Sequence, residues 1–248
     1  MNHKAGSERL MEALQKVMRY WESQRVGTRK AVTGGPQISP FTIAISRESG
    51  ARGTSTAREV GARLGWLVYD HELVERIAKE MKLRTSLLES VDEKRVSWLQ
   101  ECAESFASAP SVTKSSYVRH LVQTLLSLAA HGECVIVGRG AAQILPVETT
   151  LRVRLVAPVE WRIAAISQKL GIAKEAAARE VAKIDCERHC FVKDHCHKDP
   201  TGATQYDLIL NSSRYSVTEC ADLIVEALRR LQTHTSVESP PVAHARRG

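Results

Sequence analysis

Residues Thr42-Ile43-Ala44-Ile45-Ser46 form an apolar strand that runs straight into Arg47-Glu48-Ser49-Gly50-Ala51-Arg52-Gly53. That small, glycine-containing loop then opens a helix on three hydroxyl residues, Thr54-Ser55-Thr56. A strand, a tight loop and a helix N-terminus in that order bring backbone N–H groups together on one point, which is how a fold cradles an anion such as phosphate. Laid without gaps on the G-x-x-x-x-G-K-[ST] pattern, the two glycine slots hold Arg47 and Arg52. The lysine slot holds Gly53 and the Ser/Thr slot holds Thr54. The layout is that of a phosphate-binding loop, but the lysine is missing and arginines stand at both ends.

Bulk properties set outer limits. A chain of 248 residues, 43% hydrophobic and 25% charged, can bury one sizeable core with appendages. No apolar run reaches the roughly 18 residues that span a bilayer, and the polar N-terminus lacks a signal-peptide apolar region. A cytoplasmic setting is therefore expected, with the six cysteines as reduced thiols. A net charge of +7 suits a protein that handles phosphorylated anions. The basic residues are spread along the chain and aromatic residues make up only 5% of it, which argues against nucleic acid as the partner.

Three segments follow from the pattern. Residues 1–40 comprise a helix over 7–24, with Leu10, Met11, Leu14, Val17, Met18 and Trp21 on one face, and a linker containing Gly34-Gly35-Pro36. The polar face of that helix carries both signs of charge, so it reads as a packing arm or a homodimer contact rather than a membrane binder. Residues 41–232 alternate strand and helix, and residues 233–248 read as a disordered tail. Strands are expected at 42–46, 66–69, 134–138, 151–156 and 206–211. Helices are expected at 54–64, 71–81, within about 85–131, at 159–184 and at 216–231. Alternation of this kind implies right-handed crossovers and a parallel α/β sheet covered on both faces. Ligands of such sheets bind beyond the carboxyl ends of the strands, which points to Arg47 to Thr54, Asp70, Arg139 and Asn211 to Arg214.

A series of short motifs then falls in one order. It runs Ile43-Ala44-Ile45-Ser46-Arg47-Glu48, Gly50, Gly53, Ala57, Leu64-Gly65, Tyr69-Asp70 and Val135-Ile136-Val137-Gly138-Arg139-Gly140. Val156-Ala157-Pro158-Val159-Glu160-Trp161-Arg162, Asp185-x-x-Arg188, Tyr206 to Asn211 and Ser213 to Val217 complete it. Together these pieces resemble the cytidylate kinase-like family, a branch of the nucleoside monophosphate kinases, over about residues 41–231. The resemblance implies a P-loop-type three-layer domain with a five-stranded parallel sheet in the order 2-3-1-4-5, helices on both faces, and a lid at about 186–204. It also implies ATP and Mg²⁺, with a nucleoside triphosphate as donor and a small phosphorylated compound as acceptor. Family members near this chain usually carry S-R-E-x-G-S-G-G-R in the loop. This chain departs from them with Arg52 in a glycine slot and Thr54 in place of arginine. A second register deletes one glycine and places Arg52 on the lysine; the ungapped one also aligns Ala57, Leu64-Gly65 and Tyr69-Asp70.

Phosphoryl transfer depends on positioning and charge neutralisation, so cationic side chains carry most of the interest. On the donor side the candidates are Arg47, Ser49, Gly50, Ala51, Arg52, Gly53, Thr54 and Ser55, with Thr54 or Ser55 offering a hydroxyl to Mg²⁺. Arg162 and Arg214 are further nucleotide contacts. The resemblance makes Arg139 the clamp on the acceptor phosphate, where a planar fork fits, or else the partner of a structural carboxylate. Asp70 opens the acceptor site or simply caps the helix after it. Asp185 and Arg188 are the lid pair that reaches the phosphates, or a surface ion pair at i, i+3. Gly140 stands where true cytidylate kinases carry an aspartate for the cytosine amino group, so cytosine specificity is not supported.

Cys186, His189, Cys190, His195, Cys196 and His197 crowd twelve residues of the lid. Their spacing, C-x3-C-x5-C, matches no standard zinc template, and no metal is expected there. Cys102, Cys134 and Cys220 lie in apolar contexts and read as packing. The leading reading is a nucleotide-dependent kinase. The absent lysine and Gly140 keep open a non-catalytic nucleotide-binding regulatory module, and the basic pI a nucleic-acid-associated protein.

Overall fold

Five parallel strands make one sheet. In chain order they are β1 (Thr42–Arg47), β2 (Leu67–Tyr69), β3 (Cys134–Val137), β4 (Thr150–Val156) and β5 (Leu208–Asn211), and in space they lie β2-β3-β1-β4-β5. The order expected from the family resemblance is the one found. β1 is central, with Ile43 level with Val135 of β3 and with Leu151 of β4. The structure is a computed structural model that describes residues 41–75, 77–79 and 116–237. The N-terminal helix and linker, the homodimer contact assigned to them, Cys102 and the middle of the long helical region lie outside those residues.

Strand periodicity divides the core. Ile43 and Ile45 of β1, Val135 and Val137 of β3, and Leu151, Val153 and Leu155 of β4 point to one face. There they pack with Ala57 and Val60 of α1 (Gly53–Leu64) and with Ile224 and Leu228 of α6 (Val217–Val237). Ala44 and Ile136 point to the other face, against Leu121, Leu125 and Leu128 of α2 (Ser116–His131) and Ala141 of α3 (Ala141–Ile144). On that second face β4 offers Arg152 and Arg154 instead of apolar residues. Arg152 pairs with Asp207 at 2.7 Å beside β5. Arg154 is left to face the region beyond the carboxyl end of β1.

Three boundaries differ from the sequence expectation. The helix expected over 159–184 is two, α4 (Val159–Leu170) and α5 (Lys174–Cys196). Gly171 takes the left-handed conformation (φ 67°) and donates its N–H to the Ser167 carbonyl, so α4 ends in a glycine cap before the chain restarts at Lys174. The first half of the expected lid is not a loop but the end of α5, continuous through Cys196. Lastly, α6 runs on to Val237, past the expected end at 231 and into the segment read as tail. The Thr233 hydroxyl donates to the Arg229 carbonyl at 2.9 Å, so the first residue assigned to the tail is bonded inside the helix. At its start α6 carries a reciprocal cap: the Ser216 N–H donates to Glu219 and the Glu219 N–H to the Ser216 hydroxyl.

Candidate active site at the carboxyl edge of the sheet

The ends of β1 and β3 and the inner face of α5 enclose a cavity of 480 Å³. Arg47, Arg139, Arg154 and Arg188 line it, with His71 on one wall and Phe191 and Val192 on another. Each arginine arrives by a different route. Arg47 is the last residue of β1. Its stem crosses Gly53, where a Cβ would stand 2.6 Å from Arg47 Cγ, and its guanidinium reaches Gly138, where a Cβ would stand 2.0 Å from Nη1. Arg139 lies in a turn of three left-handed residues, Gly138 (φ 82°), Arg139 (φ 53°) and Gly140 (φ 70°). Positive φ at a non-glycine residue costs about 1–2 kcal/mol and here aims the side chain inward. Arg139 pairs with Glu75 and lies over the Phe191 ring at 5.4 Å. Arg188, one turn along α5 from Asp185, donates to the Arg47 carbonyl at 3.3 Å.

Four arginines line the cavity together with the carboxylates of Glu48, Asp185 and Glu187. Burial, then the charges of Arg188 and Arg139, bring the Arg47 guanidinium down to about 9, with Asp70 opposing. Arg188 is shifted down by burial and by Arg139 against the pull of Asp185. Burial, Arg47 and Arg139 also push His71 below the ordinary imidazole value, against Glu72 and Asp70. Among the described residues, two buried atoms here have no hydrogen-bond partner, His71 Nδ1 and Arg139 Nε. Buried polar atoms are seldom left unpaired, and a water, an ion or a ligand can complete them.

The loop flank is a different environment. Arg52 is the N-terminal flanking residue of α1, left-handed at φ 55°, and its exposed side chain lies over the Trp161 ring at 4.7 Å, away from the cavity. The positive φ turns the Cβ outward, so the charge expected from Arg52 over the phosphates is not there. Ser49 and Ala51 are buried in the loop, Thr54 is half-buried and Ser55 exposed on α1, and none of them lines the cavity. Gly50 packs on α4, where a Cβ would stand 2.7 Å from the Arg162 carbonyl oxygen.

Arg162 and Asp185 hold the loop, and Asp185 also lines the cavity. Buried Arg162 donates to Asp185 at 2.5 Å, to the Ser49 carbonyl at 3.1 Å and to the Ala157 carbonyl at 3.0 Å, and lies 3.3 Å from Glu48. The other Asp185 oxygen accepts the Ser49 N–H at 2.7 Å. A carboxylate of α5 thus sits on a loop amide, a contact that a phosphate could also make. Asp70 caps the helical stretch that follows, accepting from the Leu73 N–H at 3.0 Å, and does not line the cavity. Arg214 is exposed past β5 and is also outside it.

Among the cavity residues that escaped the sequence reading are His71, Arg154 and Phe191. A signal existed for Arg154, since Arg152 and Arg154 alternate in an apolar strand and so share one face. Cys196 is another surprise: its Sγ stands 2.7 Å from where a Cβ on Gly140 would be, so an aspartate at 140 would have to displace the thiol and adopt a positive φ. Cys186 and Cys190 lie 3.9 Å apart on the exposed side of α5. Among the described residues no group of three or more His, Cys, Asp or Glu side chains could hold a metal ion. Cys134 and Cys220 are buried, as packing residues would be.

The model of the cytidylate kinase-like family matches residues 42–214, which is most of the described chain. The chain belongs to the cytidylate kinase-like family. A cytidylate kinase from Methanopyrus kandleri is 29% identical over 109 residues, covering 40% of this chain and 56% of that protein. A protein called uronate isomerase from Corynebacterium glutamicum is 28% identical over 129 residues, 52% of this chain and 25% of that protein. The matched stretches therefore span about a quarter and about half of these curated relatives. Among solved structures, an uncharacterised protein from Eubacterium ventriosum superposes with a TM-score of 0.61 at 22% identity, over 77% of this chain and 98% of that one. It shares the fold. Membership and topology make this a kinase-like domain, and no described helix is long and apolar enough to cross a membrane.

Proposed function

We propose that the chain transfers a phosphoryl group from a Mg²⁺-bound nucleoside triphosphate, ATP in the first instance, to a small phosphorylated acceptor, a nucleoside monophosphate or a compound of similar size. One observation carries the reading: arginines from β1, the β3 turn and α5 converge on a cavity at the carboxyl edge of a kinase-family sheet. The donor set suits anions. Of the carboxylates that line the cavity, Glu48 and Asp185 are engaged with Arg154 and Arg162, and Glu187 acts on Arg188. Phosphate groups fit this surrounding, whereas a divalent ion held by the protein alone does not. Mg²⁺ would enter on the triphosphate oxygens and offset charge on the transferred group.

Arg139 and Arg188 then clamp the acceptor phosphate, with planar donors suited to two oxygens at once. Arg47 lies between them and the loop. Phe191 and Val192 exclude water from one wall, and Asp185 orders the loop through Ser49. The crowding of Gly140 by Cys196 supports an acceptor group other than one read by an aspartate at 140. The reading places the protein in the cytoplasm.

The loop favours a second reading. Asp185 occupies the Ser49 N–H and Arg52 faces solvent, as in a module that binds nucleotide without turning it over. A thermal-shift panel of nucleoside mono-, di- and triphosphates with Mg²⁺, followed by a coupled kinase assay on the acceptors that stabilise, separates the two. Turnover establishes the kinase. Stabilisation without turnover leaves the binding module, and stabilisation by none of the panel removes both.

A further inference from the structure

The empty lysine slot and the arginine at the end of β1 are one feature. We infer that Arg47 supplies the phosphate-facing charge that the loop lysine would supply, and that its side chain occupies the space in which a lysine at position 53 would have to lie. The inference rests on the phosphate-binding reading of the cavity and assigns a residue within it.

Three observations converge. The Arg47 stem lies across Gly53 so closely that a single added carbon there would meet Cβ at 2.7 Å and Cγ at 2.6 Å. Contacts under 3.0 Å are too short for carbon atoms, so any side chain at 53 must displace the Arg47 stem. Beyond that crossing the guanidinium rests on Gly138, which is bare and left-handed, and enters the cavity that Arg139 and Arg188 share. Glycines at 53 and 138 therefore make a channel for one long cationic side chain. Finally, the rival cation is committed elsewhere, since Arg52 stacks on Trp161 in solvent. Burial, then the charges of Arg188 and Arg139, hold the Arg47 value down, and an anion bound beside these guanidinium groups would offset that.

The consequence runs against simple motif repair. Restoring the lysine at 53 puts two side chains in one channel, so Gly53→Lys alone should harm the protein instead of improving it. Arg47→Ala empties the channel, and the same lysine should then be tolerated. Arg47→Met keeps the stem over Gly53 while removing the guanidinium that rests on Gly138, and with it the charge.

The test uses the full chain in four forms besides wild type: Arg47→Met, Arg47→Ala, Gly53→Lys and Arg47→Ala/Gly53→Lys. Melting without ligand reads the space. Calorimetric titration reads the charge, with a non-hydrolysable triphosphate plus Mg²⁺ in one arm and a nucleoside monophosphate in the other. Gly53→Lys should lower the melting temperature in the presence of Arg47 and much less beside Arg47→Ala, a coupling visible in the double-mutant cycle. Arg47→Met should lose about tenfold or more in triphosphate affinity, and the double variant should recover part of it. Loss in the monophosphate arm only would place Arg47 on the acceptor and overturn the lysine assignment. Equal melting losses for Gly53→Lys in both backgrounds would overturn the shared space. If the wild type binds neither ligand, the functional proposal fails, while the ligand-free cycle still decides whether Arg47 and a lysine at 53 compete.

Discussion

Arg47 and Arg52 stand five residues apart at the two ends of one loop, and the fold treats them in opposite ways. Arg47 continues a strand, so its side chain follows the pleat and is carried over Gly53 into the sheet edge. Arg52 sits in a left-handed residue at the start of α1, and its side chain swings out onto Trp161. One ends among buried cations and the other in water. A charge in a loop motif counts only when the backbone aims it, and two residues of the same type can exchange roles without any change in composition.

The largest expected effect is on the end that holds the loop together. Arg162→Met removes the donor that ties Asp185, Ser49 and Ala157, leaving buried acceptors and a carboxylate without their partner. A loss of roughly 3 kcal/mol in urea unfolding is expected. A loss under about 0.5 kcal/mol would mean that the loop is held by its backbone alone.

Arg139→Ala comes next and sharpens the contrast directly. Monophosphate affinity should fall about ten- to a hundredfold, with triphosphate affinity nearly kept, whereas Arg52→Ala should change neither. The solvent-side variant should cost only about 0.5–1 kcal/mol of stability through the lost Trp161 contact. Should Arg52→Ala weaken triphosphate binding as much as Arg47→Met does, the division between inner and outer arginine would collapse.

His71 reports on the cavity through pH. Its folded value is held low by burial, Arg47 and Arg139, with Glu72 and Asp70 acting the other way. The unfolded chain therefore takes up a proton first as pH falls. Stability is complete above the ordinary imidazole value of about 6.5 and declines below it. His71→Asn should flatten that decline, and an anion in the cavity should raise the His71 value and draw in protons, measurable by calorimetry in buffers of different ionisation enthalpy. An unchanged slope in the variant would place the titration elsewhere.

The smallest effect is expected on the outer face of α5. Cys186 and Cys190 are near enough to share an ion but have no third partner in a cluster among the described residues. Protein equilibrated with zinc and desalted should retain far less than one ion per chain, and chelator should leave proteolysis of α5 unchanged. Near-stoichiometric retention would show that the lid cysteines are a site after all.

Much of this molecule was legible as a sequence because it depends on local periodicity. Apolar runs such as Val135-Ile136-Val137 can hardly be anything but a buried strand, and the alternation of such runs with helices calls for a parallel sheet. The position of Arg139 just after a strand was likewise enough to put it at the ligand-binding edge. Boundaries failed where one residue's conformation decided them, as at Gly171, or where a hydroxyl bonded back into its own helix, as at Thr233.

The assignments that needed tertiary structure were those that depend on which way a side chain leaves the backbone. Nothing in the order of residues tells that Arg47 crosses Gly53 to reach Gly138, ninety residues away in the chain, or that Asp185 of α5 comes down on the Ser49 amide. His71, Arg154 and Phe191 meet only because three elements distant in sequence close over the same sheet edge. Periodicity is a property of neighbours along the chain and can be read there. A site is a property of neighbours in space, and a left-handed residue or a bare glycine is enough to decide which charge enters it.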